Sequence, residues 1–128
     1  MGILGNQSNF GTIEAMYIAT QSDLRALTER LKGVAHIAID TEFIRERQYF
    51  PQLEIIQIAT EKEEAILDFR ALKSLEPFDE ILNDPATLKI FHAASQDLEI
   101  LFNVTGHVPK PLFDSQVAAA MVGLGPQI

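Results

Sequence analysis

Apolar and polar positions along this chain follow two periods, and their alternation lays out a series of short elements. Ile13–Ala19 is mostly apolar and reads as a short strand. Ser22 then offers a helix N-cap, and Leu24, Leu27 and Leu31 recur at helical spacing until Gly33 closes the turn. Val34–Ile39 and Leu53–Thr60 are two further strands, the second apolar enough to be central. Glu61–Glu64 reads as an exposed turn, and Ala65–Phe69 returns as a strand. Leu72–Leu82 is predicted as a helix with Pro77 in its first turn. Leu88–His92 is another short strand, followed by a helix from Ser95 to Asn103 whose inward stripe is Leu98, Leu101 and Phe102. Gly106–Pro111 is loop, and Phe113-Asp114-Ser115 caps a last helix through Met121. The order β, α, β, β, β, α, β, α, α predicts an α/β fold: a mixed sheet flanked by helices.

Residues 1–12 are rich in Gly, Asn, Gln and Ser, show no period, and are expected to form a flexible lead to one domain over 13–128. The 128 residues suffice for a single core, and 47% hydrophobic with 22% charged residues is ordinary for a globular protein. No apolar run approaches the ~20 residues that span a bilayer, and residues 1–6 lack the pattern of a secretory signal. The absence of cysteine excludes disulfides and zinc–thiolate sites and fits a reducing cytoplasm. A net charge of −8 argues against a basic nucleic-acid coat. It remains compatible with an enzyme whose divalent cations supply the positive charge.

The strand from Val34 runs directly into Asp40 and Glu42. Side chains two apart on a strand share a face, so these carboxylates converge if the strand continues through them. Either they lie on a solvated rim, or a hard cation with oxygen ligands offsets their repulsion. A second acid, Asp97, falls in the first turn of the helix that follows His92 and the small residues Ala93, Ala94 and Ser95. There the helix N-terminus favours the ionised form. This acid either satisfies the helix dipole or joins a site at the strand ends, where mixed sheets commonly place them.

The segments DTEF (40–43), YFPQLEIIQIA (49–59), FHAASQDLEIL (91–101) and LFDSQVAAAMVG (112–123), in that order, resemble the ribonuclease D branch of the DEDD 3′–5′ exonucleases. The resemblance implies a ribonuclease H-like exonuclease fold. It also implies a two-metal site for Mg²⁺ or Mn²⁺, with Asp40, Glu42 and Asp97 as catalytic metal ligands and Asp40 bridging both ions. Metals roughly 4 Å apart would support in-line hydrolysis, releasing nucleoside 5′-monophosphates from RNA 3′ ends such as those of tRNA precursors, with DNA the alternative substrate.

Phe43 would border the terminal nucleotide or serve as a core phenylalanine. Arg45 and Arg47 would meet RNA phosphates or remain solvated loop arginines. His92 would support the site or simply end its strand. Asp114 is explained by helix capping.

The family's third motif, an acid with a Tyr four residues before it on a helix, has no counterpart here. After Gln116 there is no Asp, Glu or Tyr, and the two tyrosines, Tyr17 and Tyr49, lie in other segments. The expectation is a C-terminally incomplete domain with little activity by itself. It would be a fragment, a degenerate relative, or a site completed by another chain, with an exposed apolar face prone to self-association. The other reading is a non-catalytic nuclease-like module that binds nucleic acid or protein.

Overall fold

A computed structural model describes residues 14–44 and 52–123. The expected flexible lead, Arg45, Arg47 and Pro51 lie outside these described residues. Six strands form one mixed sheet in the order β1-β4-β3-β2-β5-β6. They are β1 (Ala15–Ile18), β2 (His36–Ile44), β3 (Gln52–Ala59), β4 (Glu64–Asp68), β5 (Leu88–Phe91) and β6 (Leu112–Asp114). Strand β3 runs antiparallel to both its neighbours, whereas the β1–β4, β2–β5 and β5–β6 pairs are parallel. The helices are α1 (Gln21–Leu31), α2 (Phe69–Leu72), α3 (Asp79–Leu82), α4 (Ser95–Thr105) and α5 (Ser115–Met121), with a 3-10 turn at Glu76–Phe78. Among the described residues, no helix is long and apolar enough to cross a membrane.

Strand alternation explains where the core sits. Ile37 and Ile39 of β2, Ile56 and Ile58 of β3, Ala65 and Leu67 of β4, and Phe91 of β5 are all buried. They form one cluster with Leu24, Leu27 and Leu31 of α1, Phe78 and Ile81 beside α3, and Ile100 and Leu101 of α4. Each such side chain contributes about 1.5–3 kcal/mol by leaving water. The alternate positions Ala38, Asp40, Gln57, Ala59 and Ile66 are only half-buried. The sheet therefore has one sealed face and one partly open face.

Several local expectations are corrected. Helix α1 is capped by Thr20, whose Oγ1 accepts from the Asp23 N–H at 3.1 Å, and not by Ser22. The helix expected over Leu72–Leu82 is broken into α2, the 3-10 turn and α3. Lys73 stands in the left-handed region at φ +64°, which ends α2, and Pro77 lies in the 3-10 turn. On α4 the inward side is Asp97, Ile100 and Leu101, while Phe102 is 51% exposed. The loop before Asp114 ends in β6, a three-residue strand paired with β5. This edge is stitched by Lys89, wholly buried on β5, whose Nζ donates to the Asp84 and Lys110 carbonyls at 2.7 and 3.1 Å.

Candidate functional site

Strand β2 is longer than its apolar run, continuing through Asp40 and Glu42 to Ile44 because β3 pairs along its whole length. Beyond Ala38, β2 outruns its pairing with β5. The two acids therefore stand on one face at the strand's far end, Asp40 half-buried and Glu42 exposed. The register shifts between Glu42 and Phe43: Ile55 faces Glu42 but Leu53 faces Phe43. Glu54 is the extra residue, a bulge that returns Leu53 to the sealed face. Phe43 is half-buried and packs against the core, so the core reading is met, and one side of the ring remains accessible.

Asp97 reaches the same strand from α4. Its Oδ1 accepts a short hydrogen bond from the Thr41 hydroxyl and a second, at 3.3 Å, from the Thr41 N–H. Thr41 sits between Asp40 and Glu42, so all three acids meet at one tripeptide. Asp97 is only 7% exposed. Its position at the start of α4 was expected to favour the ionised form. Instead its pKa is raised, chiefly by burial and further by the charges of Asp40 and Asp114, against the opposing Thr41 hydrogen bonds. Burial outweighs the helix terminus here. The Asp40 pKa is raised too, mainly by burial, with the Glu42 charge adding to it.

The corner between β5 and α4 is held by Asp114. Its Oδ1 accepts from the N–H groups of Ala93 and Gln116, both at 2.9 Å, and of Val117 at 3.4 Å, and its Oδ2 accepts from Ala94 at 2.7 Å. Ala93 adopts φ +59°, unusual for a residue with a Cβ. Burial acts to raise the Asp114 pKa, but the four backbone donors together hold it below the usual carboxylate range. Capping explains Asp114, as expected, and the hold on the α4 corner is an additional duty. His92 is exposed, and its Nδ1 lies 2.9 Å from Ser115 Oγ. Because that hydroxyl also lies 3.2 Å from the Phe91 carbonyl and donates to it, Oγ is left to accept from Nδ1–H. Nε2 is then the free ring nitrogen.

The chemistry of this donor set suits a hard divalent cation: carboxylate oxygens whose mutual repulsion a cation relieves, on a half-open face. Asp40 and Glu42 fit that role as placed. Among the described residues, however, no three His, Asp or Glu side chains are gathered closely enough to hold a metal ion, because Asp97 is turned onto Thr41.

One polar group that sequence reading passed over belongs to this site. Gln57 of β3 stands directly across from Asp40, and its Oε1 is buried without a hydrogen-bond partner. Its signal was a lone amide inside an otherwise apolar run.

Comparison with known proteins gives a consistent picture. A family model described as 3′–5′ exonuclease matches residues 15–127. Ribonuclease D of Gluconacetobacter diazotrophicus is 42% identical over 126 residues, 98% of this chain and 32% of that protein. Ribonuclease D of Zymomonas mobilis is 48% identical over 113 residues, 87% of this chain and 29% of that one. The crystal structure of Escherichia coli RNase D, an exoribonuclease involved in structured RNA processing, aligns with a TM-score of 0.87 at 38% identity, over 91% of this chain and 31% of that one. The chain thus spans about a third of the length of these relatives.

Proposed function

The chain belongs to the 3′–5′ exonuclease family, and from that premise we propose that it is the metal-binding part of a ribonuclease D-like domain. That domain shortens RNA 3′ ends in the cytoplasm, structured RNA such as tRNA precursors being the substrate and DNA the alternative. The observation that carries this reading is the meeting of Asp40, Glu42 and Asp97 at the Asp40-Thr41-Glu42 tripeptide. Mg²⁺ or Mn²⁺, when bound, supplies activation of water and stabilisation of the leaving 3′ oxygen, giving nucleoside 5′-monophosphates.

The chain's own residues would divide the work as follows. Asp40 and Glu42 hold the cation from one face of β2, and Asp97 completes the site when its second carboxylate oxygen is drawn in. Thr41, by donating to Oδ1, keeps that carboxylate oriented. The free Nε2 of His92 and the accessible side of Phe43 would border the terminal nucleotide. Arg45 and Arg47 would meet backbone phosphates.

The 128 residues contain no Tyr-x-x-x-Asp segment after Gln116, so this chain alone is expected to cleave RNA slowly or not at all. Incubation of a 3′-tailed RNA with Mn²⁺ and the chain tests that. Robust stepwise 5′-monophosphate release, abolished by Asp40→Ala, would mean that another copy completes the site. Calorimetry tests the metal site itself: Mn²⁺ binding that is lost in Asp40→Ala and Glu42→Ala is expected, and a wild-type chain that takes up no Mn²⁺ sinks the reading.

The turn of Asp97 onto Thr41 favours a second reading, a non-catalytic module that binds nucleic acid or protein. Exposed apolar side chains at the β6–α5 edge, Phe113, Val117 and Met121, the last 82% exposed, support self-association. Sedimentation at rising concentration would show it.

A further inference from the structure

Gln57 is the polar interruption of the most apolar strand in the sheet. It sits between Ile56 and Ile58, whose side chains are buried on the sealed face, and so points to the half-open one. On that face its neighbours are fixed by register: Asp40 directly across in β2, and Ile66 directly across in β4. Side chains opposed in an antiparallel pair have Cβ atoms about 4.5–5.5 Å apart, within reach of a long side chain. Its Oε1 is buried and accepts no hydrogen bond among the described residues. Ile66 has no donor to offer, and an ionised Asp40 is an acceptor only. An amide placed here for stability alone is poorly chosen, since a leucine or methionine would bury as well and leave no carbonyl unpaired.

We propose that Gln57 is a positioning residue of the cation site. Its amide N–H₂ donates to the Asp40 carboxylate and fixes the orientation in which that group meets a divalent cation. Its Oε1 then accepts a hydrogen from a water of the cation's hydration shell. Residues that orient a metal's carboxylate ligands in this way typically carry a 10- to 100-fold effect on affinity. The proposal rests on the reading that Asp40 and Glu42 hold that cation.

The test is calorimetric titration of Mn²⁺ into the full chain, comparing wild type with Gln57→Met, Gln57→Leu and Asp40→Asn, alongside thermal unfolding without metal. Methionine keeps the length and removes both hydrogen-bonding ends, and leucine serves if the methionine variant does not fold. The expected result is Mn²⁺ binding weakened about tenfold, with a metal-free unfolding temperature equal to or above that of wild type. Affinity within about twofold of wild type in the Gln57 variants, while Asp40→Asn abolishes binding, would overturn the role of Gln57 and leave the metal site standing. Weaker binding accompanied by a lowered metal-free unfolding temperature would mark Gln57 as structural and also overturn it. A wild-type chain that binds no Mn²⁺ overturns both.

Discussion

Asp114 and Asp40 are both half-buried aspartates on strands of one sheet, and they have opposite fates. Asp114 is surrounded by backbone donors. Four N–H groups from two segments converge on its two oxygens, and its pKa is lowered despite the burial that opposes them. Asp40 is starved. Burial and the charge of Glu42 push its pKa up. An acid fully supplied by the backbone is holding the fold together. An acid placed beside a second acid with too few donors is one whose partner comes from outside the chain.

The largest break in this comparison is Asp114→Ala. It removes the cap of α5 and the clamp on the Ala93–Ala94 corner, where Ala93 is held at φ +59°. Losing a charged cap and several backbone bonds should cost about 3 kcal/mol, read as a lower midpoint in urea unfolding. Because the corner also starts α4, Asp97 should loosen from Thr41 as well. Asp114→Asn, which keeps an acceptor at the same place, should lose about half as much. Equal stability of Asp114→Ala and wild type would refute the clamp.

Asp40→Asn should act in the opposite direction. It relieves a buried charge and its repulsion with Glu42, so the metal-free chain should gain about 1 kcal/mol while losing its affinity for Mn²⁺. The same contrast appears on titration. Asp40 and Asp97 have raised folded-state pKa values, so their charged forms are penalised only in the folded chain. That penalty is relieved as pH falls from neutral through their folded pKa values towards the ordinary carboxylate value of about 3.9. Asp114 has a lowered folded pKa. Its contribution is complete above about 3.9 and is lost as pH falls further, through its folded value. Stability without metal should therefore peak on the acid side of neutrality and collapse below pH of about 4. In Asp40→Asn the rise towards that peak should be shallower. A flat profile between neutrality and pH of about 4 would contradict the raised values.

These residues also mark how far the sequence could be read. Asp40 and Glu42 were legible because strand period two is local and strict. Asp114 was legible as a cap because the donors of Gln116 and Val117 lie within three residues of it. Its other half, the hold on Ala93 and Ala94, spans about twenty residues and leaves no local trace. Strand β6 was missed because three residues cannot display an alternation, and its partner β5 lies well upstream. Phe102 was placed inward because its bulk and apolarity were weighed above helical phase. The phase set by Asp97, Ile100 and Leu101 turns Phe102 outward. Lys89 read as an exception within an apolar strand, yet its Nζ is satisfied by two carbonyls that only the folded chain brings together. Gln57 drew no attention for the same reason: its meaning depends on what stands across the sheet.

The finest test concerns the contact that turns Asp97 towards β2. Thr41→Val keeps the shape and deletes the hydroxyl, leaving the Thr41 N–H at 3.3 Å as the one remaining backbone donor to Oδ1. Asp97 is buried, so losing its short hydrogen bond raises its pKa further and should cost about 1–2 kcal/mol at neutral pH. The cost should shrink as pH falls and Asp97 takes up a proton, since a neutral carboxyl loses less when its donor is removed. Asp97→Asn in the same background gives a double-mutant cycle, with an expected coupling of about 1 kcal/mol between the two side chains. A coupling near zero would place Asp97 on some other partner, and the meeting of the three acids at one tripeptide would lose its support. If the coupling instead disappears when Mn²⁺ is added, Asp97 has exchanged Thr41 for the cation, and the carboxylate now facing a hydroxyl is a ligand held in reserve.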